Sequence, residues 1–391
     1  CILFSRDSVV AIPALFLTGL CFRFHYLSFV GFSHVPYGDA QIDLFMTNVL
    51  IENQQITFVH HELYDDRLLY YSSWPLSQIS VVVLSLVAGT ENMVSTHWMQ
   101  FVSYSACFLL AYWIIYWFNS KILDGSRENL IWGMVLFAAL PELNYWQGEF
   151  VRLNLGVLSS FFVIFSLTLM ANPNSRFQAS ILLILSCTML GFSHNLTTAI
   201  SVLSFFLSLL IIFSIANWDG SFQERETRTF LNTSFNNLAM LSILGIIWWS
   251  LVGEVLFPKI QGVVGRYSRL LTEGFSLTHD PRLQISPELS PIWSEVLLYG
   301  RDSIILGTTA IGFLLLSRKY LGERSLPFNF LFSFSISYFL IFILLFLWAE
   351  PFRVLTYASP FMAACMAYFF TSEQIWQRFP DPTPIKFSIL F

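Results

Sequence analysis

Charge is what this sequence has least of. Only 12% of its 391 residues are charged, while 55% are hydrophobic. A soluble domain carries about 25% charged residues, so this composition excludes an ordinary soluble globule and implies a surface matched to lipid. No block of Lys and Arg occurs, and the formal net charge is −5; both argue against a nucleic-acid partner. Cysteine is scarce as well: five in all, with Cys21, Cys107, Cys187 and Cys365 in apolar segments. These read as buried free thiols rather than disulfides or metal ligands. No internal repeat, low-complexity tract or second soluble domain is visible. The missing repeat weighs against a transporter built from inverted halves. The chain starts at Cys1 rather than Met, and that start implies nothing about targeting.

Long apolar runs and aromatics are what the sequence does have, including 41 Phe and 12 Trp. A membrane-crossing helix needs about 20 mostly apolar residues. Ten segments meet that need: 8–30, 94–118, 129–148, 151–171, 178–193, 196–216, 236–257, 293–316, 328–349 and 351–371. The fold class expected is all-α: a polytopic transmembrane helical bundle of about ten spans, forming a single integral membrane domain over 1–391. One apolar run, Pro75 to Gly89, is left over. It is too short to cross and is expected to be an interfacial or re-entrant helix.

Charge asymmetry then orients the bundle. Loops 119–128, 172–177, 217–235 and 317–327, with both termini, each carry Lys or Arg, among them Arg6, Lys121, Arg127, Arg176, Arg225, Arg318, Lys319 and Arg378. Basic short loops mark the cytoplasmic side, so both termini are expected inside a cell membrane. Two long loops, 31–93 and 258–292, then lie outside, where long ordered loops usually carry function.

The informative polar residues gather at that outer side. Asp39 and Asp43 are spaced i, i+4, which places both on one face if a helix begins near Asp39. Asp39 is either the N-cap of that helix or a working carboxylate; the pair suits a general base or a divalent cation such as Mg or Mn. His60, His61 and Glu62 read as solvated loop. Between two spans, Glu149 and Arg152 are three apart and either pair with each other or face a ligand. His194 stands at an outer helix end. Arg353 opens the last span, where its planar fork of donors suits a phosphate and its long stem equally suits snorkelling to the headgroups. Arg266 and Arg269 lie in the second outer loop. Carboxylates, a histidine and isolated arginines at one membrane face suggest acid–base chemistry on a lipid-linked anion.

In this order along the chain, four features resemble the GT-C superfamily of polytopic glycosyltransferases. They are the acidic motif Gly38-Asp39-Ala40-Gln41-Ile42-Asp43, the segment Trp74-Pro75-Leu76 after a long loop, the Pro-led junction from Pro141 to Arg152, and Arg353 followed by Pro360. The resemblance covers most of the chain. It implies a polyprenyl-phosphate-linked sugar as donor, Asp39 as general base or metal ligand, and Arg353, with Arg152 second, on the lipid phosphate. His194-Asn195 is similar to a His-Pro step of some members, with Asn in place of Pro. The acidic motif is Asp-x-x-x-Asp rather than Asp-x-Asp, and no Trp-Trp-Asp motif occurs; Trp248-Trp249-Ser250 lies within a span. Monosaccharide transfer is therefore expected, to a glycan, lipid or protein acceptor. The rivals are an O-antigen ligase or polymerase working through Arg266, Arg269 or His279, a transporter or flippase, and a structural membrane subunit.

Overall fold

The computed structural model describes residues 8–24, 38–53, 75–123, 125–140, 152–251, 261, 265, 268, 292–320, 325–346 and 353–376. Among these, the longer elements are all helices: α1 (Ser8–Phe24), α2 (Gly38–Asn53), α3 (Leu76–Ala88), α4 (Asn92–Ile122), α5 (Arg127–Ala139), α6 (Arg152–Met170), α7 (Arg176–Ser193), α8 (Asn195–Trp218), α9 (Arg225–Leu251), α10 (Ile292–Tyr320), α11 (Leu326–Phe346), α12 (Arg353–Thr371) and α13 (Glu373–Trp376). A helix stands at each of the ten expected spans, and among the described residues six are long and apolar enough to cross a bilayer on length and composition alone. The chain is a multi-pass membrane bundle. Its outward-facing side chains include Leu86, Val87, Leu109, Leu185, Ile246, Leu314 and Phe339, the inverse of a soluble surface and the one a lipid environment favours.

Local chemistry sets the helix ends. Ser126 caps α5 by accepting the Asn129 amide at 3.1 Å. The other end of α5 falls short of the expected 148, stopping at Ala139 because Leu140 precedes Pro141 and takes extended backbone (φ −60°, ψ 118°). A residue before proline is pushed out of the helical region by the proline ring. The short helix expected at 75–89 is α3, 13 residues ended by Gly89 at φ 64°. At 1.5 Å per residue it is about 20 Å long, against a hydrocarbon core of about 30 Å.

Helix α12 is the centre of the bundle. It packs on α5, α10, α11, α4 and α6, and 89% of its apolar stretch is buried, against 33–56% for the other five crossing helices. Its mean hydropathy is only 1.3, whereas α8 reaches 2.6. A helix wrapped in protein has no lipid contact to satisfy. It uses small residues instead: Ala358, Ser359, Ala363, Ala364 and Ala367 are all buried and let neighbouring backbones approach. The closest approach is at Gly312 of α10, where an added Cβ would run into the carbonyl of Cys365. One turn earlier on α12, Phe361 stacks on Phe334 of α11 with ring centroids 5.1 Å apart and 7° between planes. Gly312→Ala is expected to destabilise the bundle by about 1–3 kcal/mol, the cost of overpacking a filled core. A fall of the melting temperature in detergent checks this; an unchanged melting temperature would contradict the close contact.

The two ends of α12 define the two ends of the bundle. Where it finishes, Thr371 donates to Asn129 Oδ1 at the start of α5, and Tyr320 of α10 donates to the Ile122 carbonyl of α4 at 2.6 Å. Lys121, Arg127, Arg318 and Lys319 belong to these same helix termini, and the Lys319 ammonium sits 5.0 Å from the Tyr320 ring centroid. Where α12 begins, α6 and α8 begin too.

Candidate functional site

That meeting of three helix starts is built around Thr197, the third residue of α8. Its hydroxyl lies 2.7 Å from the Tyr357 hydroxyl of α12 and 3.1 Å from His194 Nδ1. Gly156 of α6 presses on the same residue: a Cβ added there would stand 2.8 Å from Thr197 Cγ2 and 2.9 Å from Oγ1. His194 is the N-cap of α8, its Nδ1 accepting the Thr197 amide at 3.3 Å. With Nδ1 accepting, the neutral ring carries its proton on Nε2. His194 is 8% exposed, Thr197 0% and Tyr357 1%, so these groups lie just beneath the surface rather than on it.

The arginines follow from the helical repeat. Arg353 is one turn before Tyr357 on α12, and Arg152 one turn before Gly156 on α6. Each is the first residue of its helix. Three helix N-termini, each the positive end of a macrodipole, are thus brought together at the positions of Arg152, Arg353 and His194. The expected phosphate-binding residues of the three helices share one end of the bundle. Glu149, Arg266 and Arg269 lie outside the described residues, as do 54–74 of the first long loop and most of the second.

The acidic motif forms a second polar group. Helix α2 starts at Gly38, so Asp39 falls inside its first turn and Asp43 one turn further on the same face. Asp43 is buried at 4% exposure, its Oδ1 accepting from Gln78 Nε2 of α3 at 2.8 Å. Thr47, Ser77 and Thr96 line the crevice beside it. His97 and Gln100 of α4 are buried as well, His97 Nδ1 lying 3.2 Å from Gln100 Oε1. Helix α3 packs on α2 and α4 and also touches α6 and α7, which links the two polar groups. Among the described residues no three His, Cys, Asp or Glu side chains gather as a metal site requires.

Thr197, Tyr357, Gly156 and Gln78 are the residues that sequence reasoning missed. Each sits inside an apolar helix and carries no charge. A weak signal existed: Thr197, Ser201, Ser204 and Ser208 recur at helical spacing on α8, and all are buried. Lower in the bundle that row meets α6 and α11, with Ser201 bonded to Ser160 at 3.3 Å and Ser208 to Ser337 at 3.0 Å. Such hydroxyls are ordinary glue between membrane helices, so the row alone does not mark a site.

No protein-family signature and no curated protein matches this sequence. Among solved structures, the chain is similar to the oligosaccharyltransferase of Archaeoglobus fulgidus, whose crystal structure was determined as a complex with Zn and sulfate. The TM-score is 0.54 at 13% sequence identity, over 97% of this chain and 51% of that one. The chain therefore spans about half the length of the protein it matches, and at this identity the likeness is one of fold, over nearly all of this chain.

Proposed function

We propose that the chain is a membrane glycosyltransferase, moving a sugar from a polyprenyl-phosphate donor to an acceptor at the outer membrane face. One observation carries the reading: the starts of α6, α8 and α12 converge with Arg152, His194 and Arg353 at one end of the bundle. Two arginine positions and three helix N-termini at one end of the bundle suit a lipid-linked phosphate, since amides and guanidinium groups both donate to its oxygens. The basic residues Lys121, Arg127, Arg318 and Lys319 collect at the other end, which the positive-inside rule puts in the cytoplasm along with both termini. The fold likeness to an oligosaccharyltransferase agrees with this reading.

In the mechanism, Asp39 accepts the proton of an acceptor hydroxyl as its oxygen attacks the anomeric carbon. The bond from that carbon to the phosphate oxygen breaks, and the pair leaves with the polyprenyl phosphate. Attack from the opposite side inverts the anomeric centre. Arg353 and Arg152 take up the charge that builds on the departing phosphate, stabilisation that acts on the transition state more than on the ground state. A divalent cation such as Mg or Mn at the acidic motif would add to this charge stabilisation. The described residues supply one buried carboxylate there, already held by Gln78, so no step is routed through a metal. The lack of a Trp-Trp-Asp motif favours a single sugar over a preassembled glycan.

The test uses the full chain in proteoliposomes with radiolabelled undecaprenyl-phosphate glucose, mannose and arabinose, and a lipid and glycan extract as acceptor. Release of undecaprenyl phosphate above empty liposomes is expected for at least one donor. Silence with all three overturns the reading.

A further inference from the structure

Two carboxylates open α2, and their surroundings differ. Asp43 is buried, bonded through Oδ1 to the Gln78 amide, and backed by Thr47, whose hydroxyl donates to the Asp43 carbonyl at 2.8 Å. Gln78 is 3% exposed, and its Oε1 has no hydrogen-bond partner among the described residues. The Ser77 hydroxyl beside it is in the same condition. Leaving buried polar atoms unsatisfied is costly where water is excluded. If α3 only had to pack on α2, an apolar residue at 78 would do so without that cost. The opposite face of α3 exposes Val83, Leu86 and Val87, and Ser80 there is satisfied by the Leu76 carbonyl at 2.6 Å, so the unpaired buried polar atoms of this helix are on the side that meets Asp43.

Resting on the glycosyltransferase reading, we propose that Asp43 is a positioning residue rather than a reacting carboxylate. Gln78 of the short helix is its clamp. The bond between them, together with Asn48, whose Oδ1 accepts from Asn92 Nδ2 of α4 at 2.6 Å, sets the rotation of α2 about its own axis. Asp39, four residues earlier on the same face, is carried by that rotation, one turn or about 6 Å nearer the helix start. Helix α3 is thereby an arm that aims the acidic motif, and its contacts with α6 and α7 index that aim to the helix that opens at Arg152 and the helix that ends just before His194. Asp43 and Asp39 have unlike duties: the first needs only an acceptor oxygen, the second needs a proton-accepting carboxylate.

The experiment compares Asp43→Asn, Asp43→Leu, Gln78→Leu and Asp39→Asn in the proteoliposome assay, using whichever undecaprenyl-phosphate sugar the wild-type chain turns over. Size-exclusion profiles and melting temperatures confirm folding. Asn keeps an oxygen that Gln78 can bond, so Asp43→Asn is expected to lose less than about tenfold in kcat, as for a carboxylate acceptor exchanged for an amide oxygen. Asp43→Leu and Gln78→Leu are expected to lose about 100-fold in kcat with KM for the donor little changed, the effect of a reacting group displaced by about 1 Å. The acidic limb of the pH–rate profile stays in place in Asp43→Asn, because the titrating carboxylate is elsewhere. If Asp43→Asn falls as far as Asp39→Asn, Asp43 reacts directly, and the positioning role is overturned while the transferase reading stands. If Gln78→Leu folds and keeps wild-type kcat, the clamp is overturned. If Asp39→Asn is fully active, the base assignment itself fails, and the positioning role with it.

Discussion

Asp39→Asn is expected to abolish sugar transfer, lowering kcat by about 10²–10⁴-fold while leaving donor binding near the wild-type value. Amide replaces carboxylate at almost the same size, so α2 keeps its fold and only the proton acceptor is lost. General base catalysis contributes a factor of this order when the base is well placed. The placement is favourable: Asp39 lies in the first turn of α2, where the helix dipole stabilises a negative charge. The measurement is steady-state turnover of a labelled polyprenyl-phosphate sugar in proteoliposomes, with farnesyl phosphate binding as the control for donor affinity. Wild-type turnover by this variant would remove Asp39 from the chemistry.

The second large effect is expected at the other polar group. Arg353→Ala should weaken binding of farnesyl phosphate by about 10–100-fold, and Arg152→Ala by a similar or smaller factor, since a hydrogen bond to a charged group contributes about 1.5–3 kcal/mol. Lys at 353 should restore only part of the loss, because a point charge replaces a two-pronged donor. Both positions begin helices whose next turn meets at Thr197, so the double variant should lose less than the product of the two single losses if they grip one phosphate. Neighbouring groups on a shared partner are non-additive, whereas distant ones add. Titration in detergent, followed through tryptophan fluorescence, measures all four proteins. Independent losses that multiply would place the two arginines on separate ligands.

The helices were legible because lipid imposes one strong rule. Every backbone polar group inside it must be satisfied within the chain, and long apolar runs have no other way to comply than as helices. The short run before Gly89 was equally plain, since its length falls between a turn and a span. Boundaries depended on smaller forces. The stop at Ala139, nine residues inside the expected span, follows from Pro141 acting on Leu140, a constraint that apolarity alone overruns.

The site was half legible. Asp39, Asp43, Arg152, His194 and Arg353 stand out because charge and imidazole are rare in such a sequence. Pairing across the bundle was hidden, as when Gln78 reaches back 35 residues to Asp43 or Tyr357 meets Thr197 from 160 residues away. Nothing local in a helix such as α12, where Tyr357 is one aromatic among several, distinguishes a residue that lines a site from one that fills a core.

The position of α12 also bears on how the protein is made. Its packing partners α4, α5, α6, α10 and α11 all precede it in the chain, and it takes the middle place among them. During synthesis from the N-terminus, those five helices enter the membrane first and leave a slot that nothing yet fills. The bundle cannot close around its own axis until α12 arrives. With a hydropathy of only 1.3, that helix gains less from lipid than from its neighbours, so its entry and the final packing are one event. Truncation just before Arg353 therefore removes the keystone, and the earlier helices are left with small-residue grooves open to lipid.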